Sequence, residues 1–349
     1  MRRSVAVAVL GLAVFAAAGS AQEASTGPYK VLRAVKAGGE GGFDYVYADP
    51  AGQRLYIPRS GPDGRITVFD LPSLTSAGEI AGVNAHGVAV DLASHHAFAS
   101  SKPVAEWDTR TLKMIKTIDV EGGPDGILLD PFNHRVWVFS HRAPNATVID
   151  AATGTVVDTV DLGGAPEQAV TDGAGHLYVD LENKDKIAVV DARTLRVTAD
   201  YDLAGKGGGP GGLAFDVKHH VLFAACHNPA TMVILDSDNG HVLATLPIGE
   251  GTDGATFNPV TDEAFSSNRD GTLTVIKESS PTSFSVEQNL KTMSWAKTLT
   301  FDVKSGTIYL IAADITITPP PAGQAARGRG GRGRFEMAPG SFTILEVGR

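Results

Sequence analysis

Short apolar runs, each closed by an aspartate or asparagine, recur along this chain at nearly constant spacing. The closing residues are Asp49, Asp91, Asp130, Asp172, Asp216, Asn258 and Asp302, separated by 42, 39, 42, 44, 42 and 44 residues. The third unit shows the plan most clearly. Residues 126–130 read as an inner strand A, 131–135 as a turn, and Val136-Trp-Val-Phe139 as strand B. A polar loop over 140–145 leads to strand C (146–150), a Thr-Gly turn, and strand D (155–162). β-Branched and aromatic runs punctuated by Gly, Asn and Asp satisfy the criteria for strands. Four-stranded repeats of about 40–45 residues are blades of a β-propeller. The pattern therefore predicts an all-β, seven-bladed propeller of four-stranded antiparallel blades.

The seventh unit departs from the plan. Its strand B (307–311) and strand C (341–346) are separated by a long insertion, about 315–340, containing Pro319-Pro-Pro321 and an Arg-Gly run from Arg327 to Arg334. So polar a segment is expected to be a mobile loop. The unit also lacks its own strand D, whereas Tyr29 to Val35 forms an orphan strand before the first blade. Pairing the two closes the ring and removes an exposed sheet edge.

The start of the chain carries a basic Met1-Arg-Arg3, an apolar stretch from Val5 to Ala18 and a small-residue site at Gly19-Ser-Ala21. That is the pattern of a secretory signal peptide over 1–21, followed by a short flexible linker (22–28) and one domain, 29–349. The expected location is periplasmic, or secreted. No later apolar run is long enough to span a membrane, and a monomer is expected. With Cys226 as the single cysteine there is no intramolecular disulfide, and the thiol reads as a buried structural one.

The formal net charge is −9, and setting aside Arg2, Arg3 and the four arginines of the insertion leaves a body near −15. So acidic a body argues against nucleic-acid binding and favours cationic or metal ligands. Gly207-Gly-Gly-Pro-Gly-Gly212 matches a dinucleotide fingerprint in spacing, but it precedes a strand instead of opening a helix, so it reads as an inter-blade loop.

The segments Gly123-Pro-Asp-Gly-Ile127, Leu129-Asp-Pro131 and Thr147-Val-Ile-Asp150 followed by Ala-Ala-Thr-Gly154 resemble the YncE-like, YVTN-repeat propeller family. The run from Ala264 to Ile276 and the Pro-rich interruption of the last blade resemble its exported members. The resemblance spans 29–349. It implies the propeller fold and export, and it carries no catalytic residues to transfer.

In a propeller the D–A and B–C loops open on one face and the A–B and C–D turns on the other. Of ten histidines, only His86, His141 and His227 fall on the first face. Its innermost ring lies five residues before each anchor: Asp44, His86, Asp125, Glu167, Gly211, Asp253 and Lys297. Glycines 87, 126, 212 and 254 follow, letting the ring backbones crowd together. The B–C loops add Arg59, His141, His227, Asn268 and Arg269, among others.

Three readings of this ring stay open. In the first, each acid braces its own tight turn. In the second, the ring with Arg59, His141, His227 and Asn268 forms a funnel for a small molecule or peptide. Or His86 and His227, with Asp125, Glu167 or Asp253, hold a divalent metal such as zinc, manganese or copper. The chain then reads as an exported binding or interaction protein. The alternatives are a metal-dependent hydrolase, lactonase or lyase using the same funnel, with His86, Asp125 and Glu167 as acid–base candidates, or a non-catalytic partner subunit of a periplasmic redox enzyme.

Overall fold

Each apolar run becomes the inner strand of a four-stranded antiparallel sheet, and seven such sheets are arranged as the blades of a propeller. The computed structural model describes residues 26–318 and 334–349. The expected leader lies outside the described residues. The inner strands are Tyr47–Asp49, Ala85–Asp91, Pro124–Asp130, Pro166–Thr171, Pro210–Asp216, Thr252–Asn258 and Thr298–Asp302. Among the described residues no helix is long and apolar enough to cross a membrane.

Strand alternation explains the core. In the second strand of blade 3, Arg135–Ser140, Val136 and Val138 face blade 2, whereas Trp137 and Phe139 face blade 4. Both faces of a blade are thus apolar and both are covered. The result is seven hydrophobic clusters, one in each seam between neighbouring blades. Cys226 is buried in the seam between blades 4 and 5 and forms no disulfide.

The ring closes as the strand count requires. Lys30–Lys36 pairs antiparallel with Thr343–Gly348, matching Lys30 to Gly348 and Lys36 to Thr343, and becomes the outer strand of blade 7. Just before it, the Gln288 amide receives the Tyr29 N–H at 2.9 Å and donates to the Tyr29 carbonyl at 2.8 Å. Tyr29 also donates its hydroxyl to Glu263, at 2.5 Å. A chain lacking residues 22–36 is expected to lose solubility and cooperative unfolding, because the Thr343–Gly348 edge becomes a template for aggregation. Light scattering beside a urea melt checks this, and a monomeric, sharply unfolding truncation would contradict it.

The two ends of the blade 7 insertion form regular structure. Ile315–Thr318 and Arg334–Met337 pair as a two-stranded ribbon, with Ile315 opposite Met337 and Ile317 opposite Phe335. The physical reason is the apolar alternation at its two ends, which the composition of its middle hides. Residues 319–333 lie outside the described residues.

Candidate functional site

The ring positions converge because every inner strand enters the axis in the same register. Crowding there is severe. A Cβ on Gly126 would sit 2.4 Å from the Glu167 carbonyl oxygen, and one on Gly212 would sit 2.8 Å from the backbone of Gly254. Below the ring Gln168 ties blade 4 to blades 5 and 6: its amide donates to the Ala255 carbonyl (2.9 Å) and accepts the N–H groups of Leu213 and Ala255.

The acids of the ring are matched by cations. Lys297 donates to Asp44 at 2.7 Å and also to Asp253, which takes a second bond from Arg269 at 2.9 Å. His86 Nδ1 lies 2.8 Å from Asp44 and 3.4 Å from Asp125. Burial works to raise the Asp44 carboxyl, but the Lys297 charge and the bonds from His86 and Lys297 override it and hold it well below its ordinary range. The hydrogen bond to Asp44 raises the His86 imidazole.

A second imidazole completes the other half of the ring. His141 Nδ1 is 2.9 Å from Glu167 and its Nε2 is 3.3 Å from Glu182. Burial, together with the neighbouring Asp125 and Asp253, pushes the Glu167 carboxyl up to about 7 despite the His141 bond. The hydrogen bond to Glu167 raises His141. Beneath them lies the buried hydroxyl of Tyr45, which burial and the charges of Glu167 and Asp125 push far above its ordinary value.

The remaining candidates take different places. Gly211 interrupts the ionisable ring, and His227 fills the gap: a Cβ on Gly211 would meet His227 Nε2 at 2.7 Å. Arg59 is buried, with its guanidinium on the Gly38 and Gly41 carbonyls and 3.8 Å over the Phe342 ring, so it braces the Gly38–Gly41 backbone and not the funnel. Asn268 is fully buried and bonded to Ser266, Thr272 and Thr274 within its own blade. As for metals, two groups at the mouth have suitably spaced ligand atoms: Asp44, His86 and Asp125, and Asp125, His141 and Glu167. They share Asp125. His141 joins His86 in these groups, and His227 lines the adjoining cleft with Glu182 and Asp185.

An apolar wall was missing from the sequence reading. Trp295, two residues before ring residue Lys297, packs edge-on against Phe335 of the ribbon at 5.3 Å, with Arg269 5.5 Å over its indole. Its φ of +69° is rare for an aromatic residue. A bond from its N–H to the Arg269 carbonyl, 3.0 Å, helps to hold it there. The wall stands between two adjoining spaces. One is a cleft of about 960 Å³ lined by Asp44, Glu167, Glu182, Asp185, Asp253 and Arg269, among others. The other is a slot of about 430 Å³ between Phe43, Ile315, Met337 and Pro339. Trp295, Phe335 and Lys297 border both.

No family model matches the chain, and no curated protein matches it. Solved structures do: 1607 chains match, so the likeness marks a widely used architecture. One belongs to a structure titled "Crystal Structure of Mitotic Checkpoint Complex", with a TM-score of 0.68 over 88% of this chain and 95% of that chain, at 10% identity. At that identity the likeness is one of fold alone, that of a β-propeller.

Proposed function

We propose that this chain is an exported binding propeller of the YncE-like, YVTN-repeat kind, whose mouth takes a small amphipathic ligand bearing a cationic group. The observation that carries the reading is the junction of an acidic cleft with an apolar slot across the Trp295–Phe335 wall. An ammonium in the cleft meets Glu182, Asp185 and Glu167, and an aromatic face can support it by cation–π attraction. The attached apolar part fills the slot, where burial contributes roughly 25 cal/mol per Å². Export rests on the leader-like start of the chain and the family resemblance on its repeat motifs.

Tryptophan fluorescence tests this. Trp107 and Trp137 are fully buried in the blades, so a ligand at the mouth reports through Trp295. Aryl-alkyl amines are expected to change the emission with saturation. The matching carboxylates are expected to bind at least tenfold more weakly, and Glu182→Gln to weaken the amines several-fold. Equal affinity for amine and carboxylate, or an unchanged signal in Trp295→Phe, overturns the reading.

The second reading, a metal-dependent hydrolase, lactonase or lyase, is favoured by the two metal-capable groups that share Asp125. Against it stands the charge balance of the ring, where Lys297, Arg269, His86 and His141 already face the carboxylates.

A further inference from the structure

The seam between blades 5 and 6 holds a cluster that the mouth does not use. Asp216 closes the inner strand of blade 5, His219 follows in the turn, and Glu278 lies on the third strand of blade 6, Thr272–Ser280. Asp216 and Glu278 are each only 2% exposed. Asp216 Oδ1 is occupied by the turn, accepting the Lys218 N–H at 3.0 Å. Among the described residues the other three carboxylate oxygens face a single donor. His219 Nδ1 bonds Glu278 Oε1 at 2.9 Å and lies 2.6 Å from Asp216 Oδ2, while Glu278 Oε2 and Asp216 Oδ2 make no hydrogen bond.

One ring nitrogen carries at most one proton and cannot serve three buried oxygens, and an unsatisfied buried carboxylate oxygen is costly. The charges acting most strongly on Glu278 are those of Asp216, His219 and Asp262, so one imidazole stands against three carboxylates. A ring nitrogen of His219 and one oxygen from each acid lie within 4.8 Å of one another. That is the donor set of an imidazole–carboxylate metal site.

We propose that Asp216, His219 and Glu278 bind a divalent transition-metal ion of the zinc or manganese class, tying blade 5 to blade 6 on the face away from the mouth. His219 is partly exposed, which leaves solvent a route for the ion and room for water as a further ligand. The ion binds the folded seam and not the unfolded chain, so it raises the melting temperature as its concentration exceeds Kd.

The test is calorimetric titration of the chelator-treated full chain with ZnCl2 and MnCl2, with thermal unfolding alongside. One equivalent of either metal is expected to bind and to raise the melting temperature. Glu278→Gln and His219→Gln are expected to weaken it at least tenfold, and His86→Ala/His141→Ala to leave it intact. Each variant's own unfolding without metal establishes that it is folded, and the glutamine variants keep side-chain volume. No binding, binding retained in both glutamine variants, or binding lost only with the mouth variant overturns the proposal.

Discussion

Replacing Lys297 by methionine is expected to destabilise the fold by about 3–5 kcal/mol, the cost of removing one partner from a buried ion pair. The Lys297 side chain is 12% exposed and bridges Asp44 and Asp253. Methionine keeps the stem and removes the ammonium, leaving two carboxylates at the crowded axis. Arg269 still holds Asp253, which places the loss toward the lower end. Adding Asp253→Asn in that background should recover a substantial part, since the repulsion then has one partner. The pH dependence has a definite sign. Asp44 is held below its ordinary value of 3.8, so the stabilisation it supplies is present above that value and is lost as pH falls through the lower, folded one. The gap between wild type and variant in urea melts should therefore narrow on acidification below about pH 4. A gap within about 1 kcal/mol at pH 7 would place the ring in the weak regime of exposed pairs.

How much of this was legible beforehand follows from what each feature depends on. The seven blades were readable because the middle strands bury both their faces and the anchors close turns: Asp216 accepts the Lys218 N–H, and Asp302 that of Lys304. Ring membership was readable for the same reason, since a fixed offset from the anchor becomes a fixed radius from the axis. Partner choice was not. That Lys297 meets Asp253 and Asp44 depends on blade 7 lying between blades 6 and 1, and that His227 fills the place over Gly211 depends on one loop's path. Arg59 looked like a mouth cation because it ends a strand at a B–C loop; its burial comes from Phe342, at the far end of the chain. Trp295 and Phe335 escaped notice because neither is apolar in a periodic segment long enough to be read. Ile315-Thr-Ile-Thr318 did carry the alternation of a strand, and it was masked by the Arg-Gly run that follows.

Asp180→Ser is expected to stabilise the protein by about 1–3 kcal/mol near neutral pH, the scale of an unpartnered buried polar group. Asp180 lies on the second strand of blade 4, His176–Leu181, fully buried, and neither carboxylate oxygen has a hydrogen-bond partner among the described residues. Burial, and then the charge of Glu167, push its carboxyl well above the ordinary value of 3.8. Blades 2 and 6 place serine at the matching position. There Ser100 donates to the Asp125 carbonyl at 2.5 Å and Ser267 to the Lys297 carbonyl at 2.7 Å, each tying its blade to the ring residue of the next. Serine at 180 would offer the same bond to blade 5 with no charge to bury. A carboxyl whose folded value is raised keeps a proton that the unfolded chain releases, so wild-type stability falls as pH climbs above about 4 toward the folded value. The advantage of serine should thus be small at pH 4 and largest at pH 8. Asp180→Asn separates the two contributions, because it removes the titration but leaves an amide to satisfy: its urea midpoint should change less with pH than that of wild type. Parallel pH profiles for wild type and Asp180→Asn would mean that the carboxyl titrates normally in the fold, and the expected gain from serine would then be lost.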